Sequence, residues 1–140
     1  MKVAGRLYAN NCAACHGADA RGAKGYPNLT DQDWLYGGEP ANIIETLTNG
    51  RLGVEGGMKM PAWKDTLGEQ GIKEVTAYVL TLSGRRLSEA DQKLAEVGQG
   101  KFAMCAACHG AEGRGNTALG APNLTDTIWL YGGSKATIEE

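Results

Sequence analysis

Cys12-Ala13-Ala14-Cys15-His16 and Cys105-Ala106-Ala107-Cys108-His109 are one five-residue string written twice, and together they use every cysteine and histidine of the 140-residue chain. C-x-x-C-H is the attachment signature of c-type haem. Two thiols three residues apart share one face of a helical turn, where both can add to the vinyl groups along one porphyrin edge. The adjacent histidine then points at the iron as its proximal ligand. The expectation is two covalently bound haem c groups, held by Cys12 and Cys15 and by Cys105 and Cys108. His16 and His109 would each ligate an iron.

Other uses of paired cysteines fit less well. A four-cysteine zinc cage spaces its pairs about 15–20 residues apart, whereas Cys15 and Cys105 are 90 apart, and it leaves both histidines unexplained. A thioredoxin-type motif needs a βαβ setting, for which no pattern is visible. A disulfide closed within C-x-x-C is strained.

Working outward from the two strings exposes a duplication. His16-Gly17-Ala18-Asp19-Ala20-Arg21-Gly22 pairs with His109-Gly110-Ala111-Glu112-Gly113-Arg114-Gly115 at an offset of 93. Beyond a two-residue insertion, Pro27-Asn28-Leu29-Thr30-Asp31 and Trp34-Leu35-Tyr36-Gly37-Gly38 recur from Pro122 and Trp129 at an offset of 95. The chain therefore divides into two homologous lobes, 1–86 and 87–140, the second expected to be incomplete.

Hydrophobic periodicity makes both lobes helical. A helix over 3–14 delivers the first cysteine pair, with Val3 and Leu7 on one face. Pro40 opens a second helix, in which Ile43, Ile44 and Leu47 repeat until Asn49-Gly50. A third runs from about Glu69 to Leu82, turning Ile72, Val75, Val79 and Leu82 inward before Gly84. Ser88-Glu89-Ala90-Asp91 resembles a capping box that opens a helix burying Leu94 and Val97, weakened at Gly98 and Gly100. No alternating strand pattern appears, so the fold class is all-α. Glycine supplies 21 of 140 residues, against an ordinary usage of about 7%, and the thin apolar core is what a haem would fill. A formal charge of −2 lacks the basic excess of a nucleic-acid binder. No stretch approaches the roughly 20 apolar residues of a membrane span, and no apolar leader segment follows Met1-Lys2.

An electron-transfer haem commonly takes methionine opposite histidine. Met104 adjoins Cys105 on the attachment side and is poorly placed. Met60 precedes Pro61 in a glycine-rich loop, and the extended conformation imposed before proline suits a thioether aimed inward. It is favoured over Met58, with ordinary core packing the competing role. Applying the repeat offset to Met60 gives position 155, so the His109 iron is expected to lack a methionine from its own lobe. Pro27 and Pro122 can offer carbonyls to the second ring nitrogens of His16 and His109, or be plain turn residues. Trp34, Tyr36, Trp129 and Tyr131 either donate to haem propionates and wall the macrocycle or pack as ordinary aromatics. Arg21 and Arg114 either pair with propionates or lie solvated.

With its two C-A-A-C-H-G strings, two N-L-T-D-x-x-W-L-Y-G-G strings and M-P-A-W loop, the sequence resembles the dihaem subunit III of cbb3-type cytochrome c oxidases over nearly its whole length. The resemblance implies tandem class I cytochrome c lobes on the periplasmic face, tethered to the inner membrane through an anchor or partner subunits. It also implies electron relay from a soluble cytochrome donor to the catalytic subunit of a haem–copper oxidase, without bond chemistry. Carried over, Cys12, Cys15, His16 and Met60 would hold one haem, and Cys105, Cys108 and His109 the other. The family's anchor, second methionine loop and final helix have no counterpart in these residues. Two other functions compete: a free dihaem carrier, and a gas-binding haem protein working through the second iron. The want of a spare histidine for acid–base work argues against catalysis.

Overall fold

The computed structural model describes residues 2–51 and 59–140, so Met1 and Met58 lie outside the described residues. The described regular structure is helical, in the order α1 (Lys2–Asn11), α2 (Ala13–His16), α3 (Pro40–Asn49), α4 (Lys64–Leu82), α5 (Glu89–Lys101), α6 (Ala103–His109) and α7 (Lys135–Glu139). Among the described residues only isolated bridges form outside the helices, Ala23 with Tyr26 and Asn116 with Ala121. The chain gathers into two compact units, residues 1–33 with 128–133, and residues 34–127 with 134–140. This spatial division cuts across the sequence repeat.

In the first unit, α1 breaks at Cys12, where the chain turns before α2 presents Cys15 and His16. The Tyr8 hydroxyl donates to the Gly17 carbonyl at 2.7 Å, which fixes the end of α2 against α1. Val3 and Leu7, expected on one face of the helix, are 73% and 60% exposed. The segment 128–133 is held by a hydrogen bond from the Gly25 amide to the Leu130 carbonyl at 2.8 Å.

The second unit is built on the crossing of α4 and α5. Its buried apolar residues are Ala77, Val79 and Leu80 of α4, Ala95 of α5, and Phe102 and Cys105 at the start of α6. The inward face of α5 thus carries Ala95 and Gly98, while Val97 stays 52% exposed. α5 runs unbroken through Gly98. That glycine lets α5 approach α4 so closely that a Cβ there would overlap the Glu74 carbonyl. The Phe102 ring lies on Tyr78 with centroids 5.2 Å apart. Across the same crossing Lys101 Nζ meets Glu74 Oε2 at 2.6 Å.

The helix ends agree with the sequence signals. Pro40 occupies the first turn of α3, and Gly50 closes it at φ 72°. Ser88 caps α5 by accepting from the Asp91 amide at 3.1 Å, and Ser134 caps α7 by accepting from the Thr137 amide at 3.2 Å. Lys135 of α7 pairs with Asp91 of α5. α4 is longer than the periodicity indicates: a first turn from Lys64 precedes a non-helical Gly68 (φ 67°), and the stretch from Glu69 is the predicted helix. The apolar residues of α3 do not form a buried face, since Ile44 and Leu47 are 63% and 76% exposed.

Overpacking a tight contact costs about 1–3 kcal/mol, so Gly98→Val is expected to lose at least that much in urea unfolding. Gly100→Ala meets nothing within 4 Å and is expected to be stabilising by about 0.5–1 kcal/mol through helix propensity. Equal effects of the two substitutions would contradict the crossing described. The Glu74 carboxyl is held below its ordinary value of 4.5, chiefly by the Lys101 hydrogen bond and then by Gln70, against an upward push from burial. A depressed folded-state value means that this stability is fully present above pH 4.5 and is lost as pH falls through the lower value. Glu74→Gln is expected to flatten that acid limb in thermal unfolding, and an unchanged limb would show that Glu74 does not set it.

Candidate haem sites

Each C-A-A-C-H string ends in the same loop, bonded in the same way. The glycine after the histidine turns at positive φ, 83° at Gly17 and 80° at Gly110. The histidine carbonyl then accepts from the amide six residues on, Gly22 to His16 and Gly115 to His109, both at 2.8 Å. Leu29 donates to the Ala20 carbonyl at 2.8 Å, and Leu124 to that of Gly113 at 2.7 Å. Asn28 accepts from the Thr30 amide and hydroxyl, as Asn123 does from Thr125. At Gly115 a Cβ would sit 2.6 Å from the Ala121 carbonyl oxygen and 2.8 Å from the Pro122 carbonyl carbon, and Gly22 is equally tight. Only glycine lets the loop fold back this closely.

The loop brings a prolyl carbonyl onto the histidine ring. His16 Nδ1 lies 2.9 Å from the Pro27 oxygen, and His109 Nδ1 lies 2.9 Å from that of Pro122. A carbonyl only accepts, so Nδ1 carries the hydrogen and the lone pair of the neutral ring is left on Nε2. That is the tautomer a metal-ligating imidazole needs.

Around His109 this ring faces an open cavity enclosing about 510 Å³ of empty space, solvent at its mouth included. Cys105, Cys108 and Met104 line it on the side of α6, Leu119 to Pro122 line it from the loop, and Lys59, Met60, Pro61 and Trp63 line it from the segment before α4. His109 is only 6% exposed. Burial, then the neighbouring Cys108, push the Cys105 thiol above its ordinary value, so it stands as a neutral thiol. In the first unit Tyr26 lies edge-on to His16, ring centroids 6.0 Å apart at 72°. Its counterpart Ala121 leaves the matching space at His109 clear. A hydrogen bond to Cys15 is the main cause that raises the Tyr26 hydroxyl above its ordinary value.

Residues 2–79 match the family described as cytochrome c oxidase, cbb3-type, subunit III. The cbb3-type cytochrome c oxidase subunit CcoP of Rubrivivax gelatinosus is 53% identical over 133 residues, covering 94% of this chain and 41% of that protein. Subunit FixP of Azorhizobium caulinodans is 50% identical over 135 residues, covering 94% and 45%. Subunit CcoP of Cereibacter sphaeroides is 43% identical over 141 residues, covering 96% and 48%. The chain belongs to the cbb3-type subunit III family. It spans less than half the length of these curated relatives.

For a subunit III cytochrome, haem c is the group against which the residues are to be tested, and they fit it. Two free thiols sit one helical turn apart in each string, beside a histidine whose Nε2 is left with the lone pair. The indole Nε1 of Trp129, in the unit that carries His16, is buried without a hydrogen-bond partner and suits a group bearing acceptor oxygens. Among the described residues no three His, Cys, Asp or Glu side chains converge on a metal position. No described helix is long and apolar enough to cross a membrane.

The remaining candidates are placed less centrally. Arg21 and Arg114 are exposed and each pairs with the acid two residues before it, Asp19 at 3.7 Å and Glu112 at 2.7 Å. Trp34 packs against the Gly38 backbone. Tyr36 is covered by Arg51, whose guanidinium carbon stands 4.5 Å over the ring, while the Tyr36 carbonyl accepts from Asn42 at 2.8 Å. Tyr131 is 62% exposed and packs on Gly25. Reasoning from the sequence missed Tyr8, Tyr26 and Arg51. Tyr26 was detectable as the one position in the Tyr26–Pro27 stretch where the repeats disagree, tyrosine against Ala121.

Gly115→Ala is expected to push the Pro122 carbonyl off His109. The downfield Nδ1 proton signal of that ring in ¹H NMR should then shift or vanish while that of His16 persists. Two unchanged signals would show that the glycine does not hold the carbonyl in place.

Proposed function

We propose that this chain is the dihaem electron-transfer portion of a cbb3-type oxidase subunit, with one haem c on Cys12, Cys15 and His16 and a second on Cys105, Cys108 and His109. The observation that carries the reading is the twin loop in which a prolyl carbonyl holds each proximal histidine in the ligating tautomer. Haem c supplies one-electron redox chemistry at an iron whose potential depends on axial ligand, hydrogen bonding and burial. The chain's own residues do the rest. The thiols would bind the group, and the Pro27 and Pro122 carbonyls orient the imidazoles. The Met60 thioether, which lines the cavity at His109, would serve as a ligand to one iron and raise its potential over that of an open position.

In this reading the two sites form a relay that takes electrons from a soluble cytochrome on the periplasmic side and passes them to the catalytic haem–copper subunit, with no bond made or broken in this chain. The relatives' names, each an oxidase subunit, favour a place in a complex over a free dihaem carrier. The division into two haem lobes, 1–86 and 87–140, rests on the sequence repeat and on the matching hydrogen bonds of the two loops.

An optical redox titration tests this. The exported full chain is expected to show two one-electron waves, and Cys12→Ala/Cys15→Ala and Cys105→Ala/Cys108→Ala one wave each. A full chain with a single wave that one of these pairs abolishes and the other leaves intact would overturn the dihaem reading.

A further inference from the structure

The two haem loops share one frame. In each, a glycine lies against a tyrosine ring, Gly25 with Tyr131 and Gly120 with Tyr36. In each, the turn carrying that glycine is closed by an antiparallel bridge, Ala23 with Tyr26 and Asn116 with Ala121. The next residue is the proline whose carbonyl meets the histidine Nδ1 at 2.9 Å. Within this common frame the residue that closes the bridge differs, a tyrosine in the first loop and an alanine in the second.

Tyr26 is held in place from both sides of its turn. Its amide donates to the Ala23 carbonyl at 2.8 Å, and its carbonyl accepts from the Ala23 amide at 3.0 Å. The Gly25 amide, on the Leu130 carbonyl at 2.8 Å, pins the turn between them. The Tyr26 ring then stands edge-on to His16, centroids 6.0 Å apart, and its hydroxyl is hydrogen-bonded to Cys15. One side chain thus touches the second thiol and the proximal histidine of the same string. Both lie near solvent: Cys15 is exposed and His16 half-buried. At the second string His109 is only 6% exposed and Cys105 is buried, so deeper burial is reached there with alanine at position 121.

A ferric haem carries one more positive charge than a ferrous one. Low-dielectric surroundings disfavour the more highly charged form of a group, so covering the ligands favours the reduced iron and raises its potential. The hydroxyl acts in the same direction. A cysteine sulfur bonded to haem has no hydrogen to give and only accepts, so Tyr26 would donate to it and draw electron density from the macrocycle. We infer that Tyr26 holds up the potential of the iron bound by His16, a role that Ala121 does not fill at the other iron. The inference rests on the dihaem reading above and names the side chain that sets one iron's potential against the other's.

The test is an optical redox titration of the exported full chain carrying Tyr26→Ala or Tyr26→Phe, with haem first counted as the pyridine haemochrome. The two waves are assigned from the variants that lack one cysteine pair. Tyr26 is 46% exposed, so neither substitution opens the core. Tyr26→Ala is expected to lower the midpoint of the His16 wave and leave the His109 wave in place. Tyr26→Phe keeps the ring and is expected to produce a smaller fall, with the downfield Nδ1 proton signal of His16 retained. A His16 wave that Tyr26→Ala leaves unmoved or raises overturns the inference, as does an equal fall of both waves. A phenylalanine variant that falls as far as the alanine variant overturns the part given to the ring. Should Tyr26→Ala lose a haem, Tyr26→Val, β-branched and suited to a bridge position, takes its place with the same expected fall. Fewer than two haems in the unsubstituted chain overturns the dihaem reading itself, which separates the two failures.

Discussion

A hydrogen bond between a histidine ring nitrogen and a prolyl carbonyl, 2.9 Å in both repeats, is the constraint on which the rest of the structure depends. It fixes the tautomer, it fixes the ring plane, and it requires the loop after each C-A-A-C-H string to fold back within van der Waals contact of itself. That requirement explains the residues that surround it. Glycine stands where a side chain would collide with the returning backbone, and an asparagine ties off the threonine beyond the proline. Thioether bonds to haem would further secure the short helix before each histidine.

The same loop sits in two different settings. At His109 the α4–α5 crossing supplies a core, in which Phe102 and Cys105 are buried, and Ala121 lines the open cavity. At His16 the tyrosine in that position covers one edge of the imidazole, and the helix before it exposes Val3 and Leu7. Burial and hydrogen bonding tune an iron's potential. In the proposed function, one ligand-orienting device in two unlike surroundings would give the two irons different potentials.

Much of the chemistry was legible in the sequence because it is written in short local strings. The C-A-A-C-H pairs, the prolines beyond them, the Pro40 helix start, the Ser88 cap and the helix from Glu69 all depend on residues a few positions apart, where spacing determines geometry. The features that the sequence did not disclose are long-range. Gly98 reads as a helix weakener until α4 is seen against it, and its lack of a side chain then becomes the reason the crossing is close. Ile44 and Leu47 keep the period of a buried face yet remain exposed, since periodicity says that a stripe exists and not that anything covers it.

Covalent porphyrin on both twin strings is the claim beneath every functional statement, and the intact mass of the exported chain under denaturing conditions tests it most directly. Denaturation removes any group held by coordination or packing and leaves thioether bonds untouched. One species heavier than the polypeptide by two haems is the expected result. A mass equal to the bare polypeptide, or to the polypeptide plus a single haem, contradicts it.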